Sequence, residues 1–180
     1  MRTRSLCHAL VTIACLLAFA TITKADEASG IVTNTSFGAF QLDEHGTVRQ
    51  FNLSRSKTIY SPDSWFPQAG DKVKVTFIVS TGSKPVLEVQ KAELIKSGPD
   101  SIPPMTSPIT VEIVDPGRSG WQCKLPTGQI VKFESSRKTE LLPVGVVLAI
   151  GQKVKVSFHV EKAFTFGINY VADKLEKVDK

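Results

Sequence analysis

The side chains best suited to binding chemistry in this sequence are aromatic. Phe37 and Phe40 lie three apart in Phe37-Gly38-Ala39-Phe40, and Trp65-Phe66 lies in Ser61-Pro62-Asp63-Ser64-Trp65-Phe66-Pro67. An accessible aromatic ring stacks on a base or another flat group. Downstream of the first pair come Arg49, Asn52, Arg55 and Lys57, cations and an amide that could meet phosphate or hydroxyl groups. Each feature has a plainer use. One phenylalanine of the first pair, Phe40 before Phe37, can fill an interior, and the Trp65-Phe66 loop can plug the fold as readily as it can touch a partner. Catalytic patterns are missing from the sequence. It has no nucleophile elbow, no phosphate-binding glycine loop and no HExxH motif, and His45 and His159 are far apart. No cluster of His, Cys or carboxylate has metal-ligand spacing, so the expectation is no metal, no cofactor and no enzyme.

The N-terminus bears on where such chemistry would take place. Arg2 and Arg4 precede a mostly apolar run without charge, Leu6 to Ala20, and Thr23-Lys24-Ala25 ends the segment with small residues at −3 and −1. That layout predicts a secretory signal over residues 1–25, cleaved before Asp26, and a periplasmic or secreted protein. The apolar run falls short of the about 20 residues that a spanning helix needs, so no membrane span is expected in the mature chain. The full chain is +5, with 22 basic and 17 acidic residues. The segment holds Arg2, Arg4 and Lys24 and no acid, so the remainder is +2, a small excess for a protein that grips a polyanion. Cys7 and Cys15 leave with it. Cys123 then has no internal partner, and its alternating segment makes it a small buried hydrophobe.

The elements that position these residues come in two copies. Gly70-Asp71-Lys72-Val73-Lys74-Val75-Thr76-Phe77 recurs as Gly151-Gln152-Lys153-Val154-Lys155-Val156-Ser157-Phe158, an offset of 81 residues. Collinear matches flank it: Lys57-Thr58 with Lys138-Thr139, Phe51 with Phe133, and Ile31-Val32 with Ile113-Val114. Val73, Val75 and Phe77 alternate with Lys72, Lys74 and Thr76, and the second copy does the same, which predicts strands with one face buried and a wet row of lysines. Glu44-His45-Gly46 and Pro126-Thr127-Gly128 mark hairpins. The expected class is all-β, with two tandem five-stranded OB-like small barrels, since closure removes exposed edges. Barrel 1 spans 26–96 and barrel 2 spans 109–180. Residues 97–108, with Pro99, Pro103, Pro104 and Pro108, form a semi-rigid linker. Barrels of this size lie near the lower limit for a self-sufficient core, so some packing between them is expected. The uncharged stretch Leu141 to Ile150 is read as a buried connection capping barrel 2, with a docking surface as the other reading.

Gly30-Ile31-Val32, Phe37-Gly38-Ala39-Phe40, Gly46, Phe51-Asn52-Leu53-Ser54 and Gly70 to Val75 together resemble the S1 RNA-binding domain and its cold-shock relatives, which are OB-fold barrels. The resemblance covers most of the first copy. In the second, Ser119-Gly120-Trp121-Gln122-Cys123 replaces the Phe-Gly-Ala-Phe element and leaves Trp121 as its aromatic. It implies that Phe37 and Phe40 face bases, with Asn52 where the family has a histidine. An OB fold hosts many ligands. The sequence reading therefore prefers an exported, non-enzymatic binding protein whose partner is a protein, a glycan or an envelope component. Single-stranded nucleic acid bound by barrel 1 is the alternative, which the small charge and Asn52 weigh against.

Overall fold

The structure is a computed structural model that describes residues 25–54, 57–81, 84–163 and 166–178. The expected signal segment, apart from Ala25, and Arg55 lie outside these residues.

Barrel 1 is built from β1 (Asp26–Ser36), β2 (Ala39–Glu44), β3 (Thr47–Leu53), the short β4 (Ile59–Ser61), β5 (Lys72–Ser80) and β6 (Val86–Lys96). β1, β2 and β3 form an antiparallel meander, β5 pairs with both β1 and β6, and β6 runs parallel to β3 to close the ring. Barrel 2 repeats this with β7 (Ile109–Asp115), β8 (Gly120–Lys124), β9 (Ile130–Leu142), β10 (Lys153–Lys162) and β11 (Ile168–Lys177). Its ring runs β7-β8-β9-β11-β10 and back to β7, with β9 and β11 parallel. A three-stranded meander closed by a parallel third-to-last pairing is the OB arrangement, so the chain is all-β and a tandem of OB-like barrels. The β2–β3 hairpin turns through His45 and Gly46, both at positive φ (57° and 91°), as a two-residue turn requires.

The alternating strands bury the residues that their period selects. Val73 and Val75 are fully buried with Phe40, Leu42, Phe51 and Val89 in barrel 1, and Val154 and Val156 with Phe133, Ile113 and Leu175 in barrel 2. The repeat matches also have structural causes. Thr58 Oγ1 donates to the Val89 carbonyl at 2.9 Å, and its counterpart Thr139 Oγ1 donates to the Ala172 carbonyl at 2.7 Å. Gly70 N–H donates to Val32 O and Val32 N–H to Asp71 O; Gly151 and Ile113 repeat the pair, with Gln152 O in place of Asp71 O, so the counterpart of Val32 on the first strand is Ile113 and not Val114, one residue from the match expected from the sequence. The two copies thus follow one backbone path even where their side chains differ. Cys123 is buried, and burial pushes its thiol up to about 12. His159, on the wet face, sits between Glu161 and Asp173, whose hydrogen bonds hold its protonated form and raise its pKa.

The linker does more than space the barrels. Gly98 N–H donates to Asp71 Oδ1 at 2.8 Å, and the Gln68 side chain makes two hydrogen bonds to the backbone of Ile102. Met105 enters the core of barrel 2, and Ser107 Oγ accepts from Phe158 N–H at 2.8 Å. Direct contacts join the barrels as well. Tyr170 Oη donates to Ser64 O at 2.9 Å, and Lys162 Nζ to Thr58 O at 3.2 Å.

Candidate functional site

The meander face of an OB barrel, with the loop between its first two strands, is the usual place for a ligand. In barrel 1 that loop is Phe37-Gly38. Phe37 is 74 % exposed, the most open aromatic side chain among the described residues. Its ring meets Phe166 of barrel 2 edge to face, with centroids 4.9 Å apart and planes at 85°. Gly38 has φ 78°, and a Cβ there would stand 2.8 Å from the Phe166 ring, so glycine allows both the turn and the close approach of the second barrel. The aromatic surface at the loop is therefore built from both barrels. The sequence suggested only half of it. Phe166 has no aromatic counterpart near Lys84-Pro85 of the first copy, and that mismatch between repeats was the available signal.

On the strands beside the loop, the outward row is amide-rich. Gln41 lies opposite Gln50 and Ala39 opposite Asn52, and Gln50 Nε2 donates to Asn52 Oδ1 at 3.3 Å. Asn52 also pairs with Glu88 on β6. Gln50 and Asn52 border a shallow hollow of about 360 Å³ with Arg49, Pro85, Val86 and Leu87. Amides donate and accept hydrogen bonds without net charge, which suits bases and sugar hydroxyls alike.

Several residues expected at a ligand surface are placed elsewhere. Phe40 is 1 % exposed and stacks on Phe51 inside the barrel, because the β2 alternation that turns Gln41 outward turns Phe40 in. Trp65 is fully buried, with its Nε1–H donating to Asp71 Oδ2 at 2.9 Å, so it plugs barrel 1 and is no contact patch. Phe66 is half-buried, meets Tyr60 edge to face and lies under Gly167 of barrel 2. Trp121 is half-buried and packs against the core of barrel 2. Arg49 is ion-paired to Glu44, with Nε and a terminal nitrogen on one oxygen at 2.6 and 2.5 Å. Its guanidinium lies 5.4 Å from the centroid of Phe51 and 5.5 Å from that of Phe77, so it caps the barrel end. Lys57 is exposed near β4, and Arg55 is outside the described residues. Among the described residues, the outward row of β2 and β3 carries no cation. The two barrels also differ here: Leu53 N–H donates to Gly38 O as Ser135 N–H donates to Ser119 O, which sets Arg118 at the position of Phe37 in barrel 2.

No protein-family model and no curated protein matches the sequence. Among solved structures, the chain is similar to one described as Drosophila Unr CSD456, at 14 % identity over 88 % of this chain and 65 % of that one, with a TM-score of 0.29. It is also similar to a multidomain protein with nucleic acid binding domains from Streptococcus pneumoniae, at 11 % identity over 82 % of this chain and 45 % of that one, with a TM-score of 0.25. The chain thus spans less than two thirds of either. Among the described residues no helix is long and apolar enough to cross a membrane.

Proposed function

We propose that this chain is a non-catalytic binding protein, and that barrel 1 holds a ring-bearing polymer by stacking on Phe37 and hydrogen bonding to the amide row. The observation that carries this reading is a 74 % exposed phenylalanine at the β1–β2 loop, beside Gln41, Gln50 and Asn52. The contact with Phe166 leaves most of the ring in water, and an aromatic anchor of this kind is a frequent source of binding energy. Two ligand sources share the chemistry: the bases of a single-stranded nucleic acid and the pyranose rings of a glycan.

Fluorescence-anisotropy titrations with an oligoribonucleotide and with a labelled oligosaccharide, each at two salt concentrations, separate them. Phe37→Ala should cost about 1–3 kcal/mol for the true ligand, the range of one lost stack. With no cation on the amide row, affinity should change little with salt. A nucleic acid held through 6–10 phosphate contacts would instead lose roughly 10³–10⁵ between low and physiological salt. Binding of both probes that ignores Phe37→Ala would discard the site.

The pattern of residues 1–25 supports an extracytoplasmic place of work. Sequencing the N-terminus of the full chain expressed in its host should give Asp26 first. An intact Met1 on all of the protein would remove export from the proposal.

A further inference from the structure

We propose that barrel 2 carries a second binding site, a cationic face on its meander that takes an anionic glycan, a chain of sugar rings bearing carboxylate or sulfate groups. This site does not rest on the reading of barrel 1. Between Pro116 and Thr139 stand five cations, Arg118, Lys124, Lys132, Arg137 and Lys138, and one acid, Glu134, so the stretch is +4. The corresponding stretch of barrel 1, residues 35–58, has Arg49, Arg55 and Lys57 against Asp43 and Glu44, or +1. The exchange falls on equivalent places. Gln122 pairs with Lys132 as Gln41 pairs with Gln50, and Lys124 with Ile130 as Asp43 with Val48. Lys132 thus replaces Gln50, Lys124 replaces Asp43, and Arg118 replaces Phe37.

The fold gathers these charges and leaves them open. Ser135 N–H donates to Ser119 O at 3.1 Å, which lays the β7–β8 loop, with Arg118, beside β9. β9 leaves its pairing with β11 after Ser135 and resumes it at Glu140. The residues between form a turn held by Ser136 N–H to Thr139 Oγ1 at 2.8 Å and Lys138 N–H to Ser136 Oγ at 3.1 Å, and it presents Arg137 and Lys138. All five cations are exposed, and among the described residues only Lys132 of the five has an ion-pair partner, Glu134 at 3.8 Å. Glu112 and Asp115 lie opposite Lys124 and Gln122, on the β7 side. Like charges gathered in this way oppose the compact state, and a ligand that neutralises them offsets the repulsion. Outward residues recur about every 7 Å along a strand, so Lys124 and the cations at the loop end fit repeated anions and not a single one. Trp121 packs against the core, and no aromatic side chain of barrel 2 is exposed among the described residues, so bases would find no open ring to stack on. Ser119, Gln122 and Ser135, all exposed, instead offer the hydroxyl and amide groups that bond sugar hydroxyls.

Three labelled probes titrated into the full chain test this: hexagalacturonate, with a carboxylate on every ring; its methyl ester, with the same rings uncharged; and hexauridylate, of similar charge. Hexagalacturonate should bind saturably at or below roughly millimolar concentration, and the other two at least about tenfold more weakly. Its affinity should fall several-fold as ionic strength rises from about 0.01 to about 0.15 M, where the Debye length shrinks from ~30 to ~8 Å. The pair Arg118→Gln and Arg137→Gln should weaken it at least about tenfold, one decade in Kd, with the melting temperature held, since both side chains already face water. The pair Lys72→Gln and Lys96→Gln takes the same charge from barrel 1 and should change it little. Absence of binding overturns the proposal, as does equal binding of the ester or an equal loss in both paired variants. Hexauridylate bound as tightly would mean a face open to any polyanion, and a loss on Phe37→Ala without one on the arginine pair would place the glycan on barrel 1; either also overturns it. Failure here leaves Phe37-dependent stacking at the other site untouched.

Discussion

Val75→Asp and Val156→Asp should each unfold the barrel that carries the change. Both side chains are fully buried at equivalent points of β5 and β10. An unpaired carboxylate in such a core costs several kcal/mol, or takes up a proton and still lacks a partner for its polar atoms. A small domain has about 5–15 kcal/mol in total, and barrels of this size lie toward the low end. Because the linker is bonded to both barrels and Tyr170 to Ser64, the untouched barrel should also lose stability. Thermal melts followed by near-ultraviolet circular dichroism would show the lost transition. Lys155→Asp, one residue away on the wet face, is the control and should move the midpoint little. A melting curve unchanged by either valine substitution would mean that the strand register is wrong.

Asp71→Ala should be the most damaging change to a polar residue, at about 3–5 kcal/mol, since it strands neutral donors that cost about 1–3 kcal/mol each when buried and unsatisfied. The carboxylate is fully buried and accepts from three donors: Trp65 Nε1 and Gln68 N–H on one oxygen, and Gly98 N–H on the other. Truncation leaves all three without a partner and opens a space beside the largest buried side chain in barrel 1. Asp71→Asn keeps one acceptor and should lose less. Urea unfolding midpoints measure both. A loss under about 1 kcal/mol for Asp71→Ala, the net worth of one ordinary hydrogen bond, would show that water replaces the carboxylate.

What the sequence made legible followed from local period and repetition. Alternation fixed which of Val73, Lys74 and Val75 point inward, and the shared offset located two equivalent strands. Phe166 was marked in the sequence only by the mismatch between the repeats, because its contact with Phe37 joins two barrels and no local pattern encodes that. Nothing in the sequence sets Asp71 apart beside Lys72. Its burial follows from the indole of Trp65 and the amide of Gly98, which only the folded loop and linker bring together. The apolar loop at Leu141 to Ile150 was expected to be covered because such runs usually are, and Leu148 is; Val144, Val147 and Ile150 face outward.

A linker bonded at both ends changes what tandem binding means for this chain. Two barrels on a free tether search a volume, and the second encounter is governed by an effective concentration that falls with tether length. Here Gly98 and Ile102 are fixed to one barrel and Met105 and Ser107 belong to the other, so the distance between the barrels is set by packing. A ligand that spans both would gain its avidity only if its own two footprints match that one spacing, and the barrels would act as a ruler.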